Sequence, residues 1–303
     1  MSGFGVEVRD LTARYDTTVA LDAVSFTIRP GVITGLLGRN GSGKTTALSV
    51  LAAFRRATSG TVLVDGEDPW ENPRVLAGTC LVRESGDVAI DQKLKDTLEF
   101  LGDRRPLFSR ELADSLMDRF ELDPLTKPNK LSRGKRSAFG VVVGLASRTP
   151  LTLLDEVHLG MDAPSRYAFY DVLLADWLEH PRTIVLSSHL IGEVERLLED
   201  VVVLDRGSVL TAADADTLRS GGVTVTGAAE AVSAFVADRD VVARQQLGRT
   251  AQATLIGTRP DDTARAAQAG LELGPVALQD LFVHLTDRPK GAAPARPSTE
   301  ESR

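Results

Sequence analysis

The sequence predicts an α/β fold built on a parallel sheet, and three observations support this prediction. Short apolar runs that suit buried strands alternate along the chain with segments of helix-compatible composition. A glycine-rich loop stands between one such strand and the next helical segment, the context of a phosphate-binding loop. The chain has 303 residues, 43% hydrophobic and 25% charged, which is typical of a globular protein of about two domains.

Charge and cysteine content limit the possible functions. Asp and Glu number 42 and Lys and Arg number 35, which makes the net charge −7. Nucleic-acid binders usually carry a basic surplus, so we expect no nucleic-acid partner. The single cysteine, Cys80, excludes an intrachain disulfide framework and favours the cytoplasm. Neither a signal peptide nor an 18-residue apolar run is visible, so we do not expect the chain to span a membrane by itself.

The part of the chain before residue 66 is predicted to form strands, turns and one helix. Strands are indicated by alternating or apolar runs, and Pro30-Gly31 and Asp65-Gly66 supply turn residues between them. The predicted strands are Gly5–Val8, Ala23–Ile28, Val32–Leu37 and Gly60–Asp65, and the predicted helix is Ala47–Phe54.

A mostly helical insert is predicted at about residues 92–148, where leucines such as Leu94, Leu98 and Leu101 recur at helical spacing. After it, strands and helices alternate again, which indicates a parallel core. The predicted strands there are Leu151–Leu154, Thr183–Ser187, Val201–Leu204 and Ser208–Leu210, and the predicted helices are Pro164–Leu178 and Ile191–Leu198.

A change in composition near Gly221-Gly222 predicts the end of the main domain, which we place at residues 1–220. Residues 221–286 are predicted to form a small α+β appendage. Its elements are a strand at Val223–Thr226, a helix around Glu230–Ala237, a strand near Thr254–Ile256 and a closing helix at Ala277–Leu285. Residues 287–303 are rich in Pro, Ala, Ser and charge, and we expect them to be disordered.

The loop Gly38–Thr45 fits the pattern G-x-x-x-x-G-K-[ST] between a strand and a helix. Glycines let the backbone N–H groups approach phosphates, and the helix directs its positive end at them. Lys44 supplies a mobile positive charge, and the Thr45 hydroxyl can ligate Mg²⁺. The predicted nucleotide-binding residues are Gly38, Arg39, Asn40, Gly41, Ser42, Gly43, Lys44, Thr45 and Thr46.

Two carboxylates end the apolar strand Leu151–Leu154. Ligands bind at the carboxyl ends of strands in open α/β sheets. Asp155 therefore suits the Mg²⁺ shell, and Glu156 suits a base that orients or deprotonates the water attacking the γ-phosphate.

The segment Leu131-Ser132-Arg133-Gly134-Lys135, 20 residues before the acidic strand, resembles the signature of ABC transporter ATPases. Phosphate loop, signature, Asp-Glu strand and a later histidine occur in the family's order, over about residues 4–212. The resemblance implies a P-loop fold with an antiparallel β subdomain, a parallel core sheet and a helical insert, and it implies ATP and Mg²⁺. It also implies a head-to-tail pair of subunits, in which Ser132 and Gly134 contact the ATP of the partner.

Further positions match the family one by one. Tyr15 resembles the aromatic residue that stacks on adenine, His189 the switch histidine near the γ-phosphate, and Asp162 the acid of the loop between subunits. Glu84 stands where the family usually has a glutamine that touches Mg²⁺.

Three further departures concern the signature and the acidic strand. Arg133 replaces a signature glycine and Lys135 the signature glutamine, and Val157-His158 replaces the common Pro-Thr or Pro-Ser. We interpret His158 as incidental.

The resemblance implies an ATPase that drives a separate transmembrane permease from the cytoplasmic face of the cell membrane, in a homodimer or heterodimer. The segments at 181–210 and 278–286 resemble ABC-2-type, drug-export-like systems, which favours export. Two alternatives stay open. One is an ABC ATPase acting on ribosomes or DNA, which the acidic composition disfavours. The other is a module that binds ATP without hydrolysing it, which the presence of Lys44, Asp155, Glu156 and His189 disfavours.

Overall fold

The structure is a computed structural model that describes residues 3–84 and 88–286. The chain divides into two units, Met1–Ala215 and Asp216–Arg303. The boundary expected after residue 220 stays a prediction. The disorder expected at 287–303 lies outside the described residues.

The first unit begins with a three-stranded antiparallel sheet in the order β2–β1–β4. Its strands are β1 (Val6–Tyr15), β2 (Thr18–Ile28) and β4 (Ser59–Val64). Val6 and Val8 bury one side of β1 with the two-residue period of a strand, and Leu11 and Ala13 continue it after a β-bulge that adds one residue. The sequence pattern predicted only the first part of β1 and the later part of β2. A bulge after Val8 shifts the alternation in β1, and residues 18–22 of β2 do not alternate.

A six-stranded sheet forms the core of this unit, in the order β5–β6–β7–β3–β8–β9. The first five strands in that order are parallel, and β9 is antiparallel to β8. The strands are β3 (Ile33–Gly38), β5 (Thr79–Arg83), β6 (Leu151–Asp155), β7 (Thr183–Ser188), β8 (Asp200–Asp205) and β9 (Ser208–Asp214). Every residue of β3, β6 and β7 is buried, which explains their apolar composition. The predicted fold class is confirmed.

The helices described in the first unit are α1 (Lys44–Leu51), α2 (Pro73–Ala77), α3 (Leu94–Arg104), α4 (Arg110–Arg119), α5 (Arg133–Ala146), α6 (Ala163–Glu179) and α7 (Ile191–Val194). Helices α3, α4 and α5 form the predicted insert. Short 3₁₀ turns cover Pro128–Lys130 and Glu195–Leu197. The single helix predicted over Ile191–Leu198 is therefore α7 followed by a 3₁₀ turn. Helix α8 (Ala215–Ser220) follows β9.

The second unit has the element order βαββαβ, followed by a helix. It contains β10 (Gly222–Ala228), α9 (Ala229–Phe235), β11 (Val241–Leu247), β12 (Thr250–Ile256), α10 (Asp262–Gln268), β13 (Glu272–Gly274) and α11 (Leu278–Thr286). Its antiparallel sheet has the order β11–β12–β10–β13 and carries its own apolar core. The α+β character expected for the appendage is confirmed. Strand β11 escaped sequence reasoning because it lies at the sheet edge, is mostly exposed and has the polar run Arg244-Gln245-Gln246 at its centre.

Within residues 3–84 and 88–286, no helix combines the length and apolar character needed to cross a bilayer.

Candidate functional site

The phosphate loop leaves β3 at Gly38 and enters α1 at Lys44, as the sequence predicts. Gly43 precedes the helix with φ +105°, a conformation that side chains rarely adopt, and an added Cβ would lie 2.7 Å from the carbonyl oxygen of Ala20. Among the described residues, no side chain caps the N-terminus of α1. Its first N–H groups can therefore bind an anion.

The Lys44 side chain is buried and lies inside this loop. Its Nζ donates hydrogen bonds to the carbonyl oxygens of Gly38 (2.7 Å) and Arg39 (3.2 Å). The same nitrogen lies 3.1 Å from Glu156 Oε1. The end of the acidic strand and the phosphate loop therefore meet through one ion pair.

Asp155 and Glu156 occupy the carboxyl end of β6, next to the end of β7. Ser187 Oγ on β7 donates to Asp155 Oδ1 (2.5 Å) and accepts a hydrogen bond from the Glu156 N–H (3.1 Å). Glu156 has φ +53°, a strained conformation for a residue with a side chain, of the kind that concentrates at functional sites. Sequence reasoning missed the role of Ser187, although its place directly before the end of a buried strand was a usable signal.

His189 and His158 lie near Oε2 of the Glu156 carboxylate, whereas Lys44 lies near Oε1. His189 Nδ1 is 3.0 Å from Glu156 Oε2 and donates to it, since a carboxylate only accepts. His158 is fully buried, with Nε2 at 3.8 Å from the same oxygen. Burial lowers the pKa of His158 to about 4, and the nearby Arg166, His189 and Lys44 side chains contribute to the lowering. Its imidazole is therefore neutral at neutral pH. The sequence-based interpretation of His158 as incidental does not anticipate its place beside Glu156.

A cavity of about 740 Å³ opens between these groups. It brings together many of the predicted site residues: Asn40, Gly41, Ser42, Gly43, Lys44, Thr45, Thr46, Glu84, Asp155 and Glu156. The lining set also contains Arg133, from the start of α5, which sequence reasoning treated only as a departure from the signature. The remaining predicted residues lie outside the lining: Tyr15, Gly38, Arg39, Ser132, Gly134, Asp162 and His189.

Tyr15 lies at the end of β1, with its ring partly covered. The Arg55 guanidinium stands 3.6 Å from the ring centroid, and Thr46 Oγ1 donates to the Tyr15 hydroxyl at 3.5 Å. The ring is about half exposed. Its stacking on adenine stays a prediction, and the structure adds that Arg55 occupies one face of the ring.

Glu84, at the end of β5, is tied to α5 by two contacts. Its carboxylate forms an ion pair with Arg133, and its carbonyl oxygen accepts a hydrogen bond from Ser137 Oγ at 2.7 Å. Glu84 and Arg133 are both departures from the family pattern, and they face each other across the cavity rim.

The signature segment forms the N-terminus of α5. Ser132 Oγ accepts a hydrogen bond from the Lys135 N–H at 3.3 Å, so Ser132 caps the helix as its residue type predicts. Lys135 Nζ in turn donates to the carbonyl oxygens of Phe120 (2.6 Å) and Glu121 (3.1 Å), at the end of α4. A lysine therefore joins two helices of the insert here.

Asp162 caps α6 in the same way, with Oδ1 accepting from the Ser165 N–H at 2.9 Å. The hydrogen bonds from Ser165 lower the pKa of Asp162. Its carboxylate is therefore charged at neutral pH. Its contact with a second subunit stays a prediction.

Gly134 packs against the loop that follows the acidic strand, since a Cβ there would lie 2.5 Å from the carbonyl oxygen of Gly160. We expect Gly134→Ala to push this loop away from α5 and to lower ATP turnover about 10-fold or more while nucleotide binding persists, because about 1 Å of displacement is costly in catalysis. Steady-state ATPase and nucleotide-binding assays test this. Gly102→Ala is the matched control, because Gly102 is an exposed residue of α3 where a Cβ would meet only the flexible end of Arg110 at 3.4 Å and the Phe108 ring at an ordinary 3.6 Å. Equal turnover in both variants would contradict the prediction.

The family model described as ABC transporter matches residues 21–158. The ABC transporter ATP-binding protein YtrB of Bacillus subtilis is 31% identical over 241 residues, which cover 80% of each chain. The daunorubicin/doxorubicin resistance ATP-binding protein DrrA of Streptomyces peucetius is 28% identical over 98% of this chain and 97% of its own. A dimeric ATP-binding cassette, MJ0796, solved with ADP and Pi, superposes with a TM-score of 0.61 at 22% identity, over 69% of this chain and 98% of its own.

Proposed function

Because this chain belongs to the ABC transporter ATP-binding proteins, we propose that it hydrolyses ATP to drive a separate membrane permease, in the direction of export. Binding and hydrolysis of ATP follow from the family. The drug-resistance relative, which matches nearly the full length of this chain, supports the direction. The permease, the paired arrangement and the residue roles are the parts that we propose.

One observation carries the catalytic part of the proposal: the Glu156 carboxylate lies between Lys44 and His189. Its two oxygens are 3.1 Å from Lys44 Nζ and 3.0 Å from His189 Nδ1. Lys44 and the loop amides would hold the β- and γ-phosphates at the end of the cavity where Glu156 lies. Glu156 would then orient and deprotonate the attacking water, with His189 holding the carboxylate in place.

The residues at the cavity also fit Mg²⁺. Thr45 and Asp155 both line the cavity and offer a hydroxyl and a carboxylate, the oxygen ligands that Mg²⁺ prefers. In the part of the chain that the structure describes, no group of three or more His, Cys, Asp or Glu side chains could hold a metal ion. Mg²⁺ is instead expected to share its shell with phosphates of the nucleotide, where it neutralises charge developing on them. Glu84 is a weaker candidate ligand, because its carboxylate already pairs with Arg133.

A second ATPase subunit would complete the site. Ser132, Gly134 and Asp162 are predicted to contact nucleotide, yet none of them lines the cavity of its own chain. This placement supports a head-to-tail pair, in which these residues reach the ATP of the partner. The pair can consist of two identical chains or of this chain and a relative.

The permease would dock on an apolar groove of about 530 Å³ beside the helical insert. Three large apolar residues of this groove are well exposed: Phe54 (64%), Leu76 (41%) and Phe100 (56%). Exposed aromatic and aliphatic residues around a concavity are typical of protein docking sites. Docking there would hold the chain at the cytoplasmic face of the membrane.

Affinity purification tests this assignment. We expect the tagged chain, extracted from its host in mild detergent, to carry a multi-spanning membrane protein at comparable yield. Phe100→Asp should remove that protein while the purified variant still hydrolyses ATP. Leu178→Asp, at a residue outside the groove that is at least as exposed (65%), is the matched control. Recovery of ribosomes or DNA-associated proteins instead of a membrane protein would contradict the transporter function.

A further inference from the structure

His158 is a buried imidazole that the proposed mechanism does not use. It lies two residues after Glu156 and is fully excluded from solvent. Its ring packs against Tyr170, with centroids 6.3 Å apart. A buried polar side chain is retained at low cost only if it is hydrogen-bonded, so its partners indicate what it does.

The Nε2 atom of His158 lies 3.2 Å from Ser188 Oγ and 3.8 Å from Glu156 Oε2. Ser188 Oγ also accepts a hydrogen bond from the Leu190 N–H at 2.9 Å. Ser188 and Leu190 flank His189 in the chain, so this hydroxyl determines how the backbone turns at His189. The imidazole of His158, which belongs to the loop of Glu156, therefore contacts the segment that carries His189.

The groups around His158 indicate its protonation state and which ring nitrogen carries the proton. Since its pKa lies near 4, His158 is neutral at neutral pH and carries one proton. The Glu156 carboxylate and the Ser188 hydroxyl both lie on the Nε2 side, while Nδ1 is buried without a hydrogen-bond partner among the described residues. A proton on Nε2 is favoured by the nearby negative charge, and a hydroxyl oxygen can accept from both Nε2–H and the Leu190 N–H.

We propose that His158 is a positioning residue, which holds the loops of Glu156 and His189 at the separation that keeps their 3.0 Å contact. This inference rests on the proposed roles of Glu156 and His189. His158 itself touches neither nucleotide nor water in the reaction. It acts through Ser188, whose hydroxyl links the imidazole to the turn at His189.

Three variants separate this role from simple packing. His158→Leu keeps the volume of the side chain and removes the hydrogen bond. His158→Gln returns an N–H donor close to the position of Nε2. Ser188→Ala removes the other partner of the same contact. His180→Leu, at a half-exposed histidine outside the site, is the control.

We expect His158→Leu to lower kcat about 10–100-fold with KM for ATP within about twofold, because misplacement of a catalytic pair affects the transition state more than ATP binding. His158→Gln should recover most of the loss. Ser188→Ala should lose at least as much as His158→Leu, because it also removes the acceptor of the Leu190 N–H. The double variant should be no worse than Ser188→Ala alone, since that change has already removed the contact with His158. His180→Leu should keep the wild-type kcat.

Three results would overturn the inference. They are a wild-type kcat in His158→Leu, a rise in KM at unchanged kcat, or losses that multiply in the double variant. If His158→Leu does not fold, His158→Gln and Ser188→Ala still decide, because a wild-type kcat in Ser188→Ala contradicts the link. Glu156→Gln is measured in parallel. Full turnover in that variant would refute the proposed role of Glu156 itself, whereas an inactive Glu156→Gln beside a fully active His158→Leu refutes only the role of His158.

Discussion

Glu156→Gln is expected to bind ATP and to lose turnover about 10²–10³-fold, the usual cost of removing one group that acts in the transition state. Glutamine keeps the shape of the side chain and its contact with His189, but it cannot take a proton from water. The change also removes a negative charge 3.1 Å from Lys44 Nζ, next to the expected position of the phosphates. ATP should therefore bind at least as tightly as in the unchanged chain.

A phosphate-release assay measures the expected loss of turnover, and an equilibrium nucleotide-binding assay measures the expected ATP affinity. Glu179→Gln, an exposed glutamate at the end of α6, is the matched control and should behave as wild type in both assays. Wild-type turnover of Glu156→Gln would refute the assignment of the base. Loss of ATP binding together with turnover would mean that the carboxylate holds the loop rather than performs the chemistry.

Lys44→Ala is expected to abolish turnover and to weaken ATP binding at least 10-fold. Lys44 is the buried cation of the cavity, and its ammonium is already oriented by the carbonyl oxygens of Gly38 and Arg39. Its loss removes the positive charge between the β- and γ-phosphates. It also leaves the largely buried Glu156 carboxylate without its cation, and uncompensated buried charge is destabilising.

Two measurements distinguish these effects. Nucleotide titration should show the loss of binding, with exposed Lys127→Ala unchanged as the control. The Tm of the nucleotide-free protein should fall in Lys44→Ala and recover in part when Glu156→Gln is added, because the second change removes the unpaired charge. A Tm that the second change lowers further would contradict the ion pair as a source of stability.

Features that depend on neighbouring residues were predictable from the sequence. The phosphate loop needs glycines where the backbone turns with positive φ, and Gly41 and Gly43 both do so. The strand before Asp155 is apolar because both its faces are buried. Ser132 and Asp162 cap helices through hydrogen bonds that span three residues. The interactions of the loop and of the two caps lie within one turn of the chain, and the burial of the strand is recorded in a run of adjacent apolar residues. The local residue pattern therefore carries the information.

Contacts between distant segments followed only from the tertiary structure. Ser187 reaches Asp155 because β6 and β7 are neighbours in the sheet, and strand order cannot be deduced from a single strand. The pairing of Glu84 with Arg133 and the cover of Arg55 on Tyr15 likewise join residues about 40 to 50 positions apart.

His158 shows most clearly the difference between what the sequence predicts and what the tertiary structure reveals. Its residue type and spacing resemble those of any histidine after a strand. The strand order and the packing of Tyr170 bury it beside Ser188 and Glu156. The sequence by itself determined the fold class, the family resemblance and the groups expected to bind nucleotide, because these depend on local patterns. The tertiary structure decided which of those groups meet and what orients them, since long-range packing sets the distances on which hydrogen bonds and ion pairs depend.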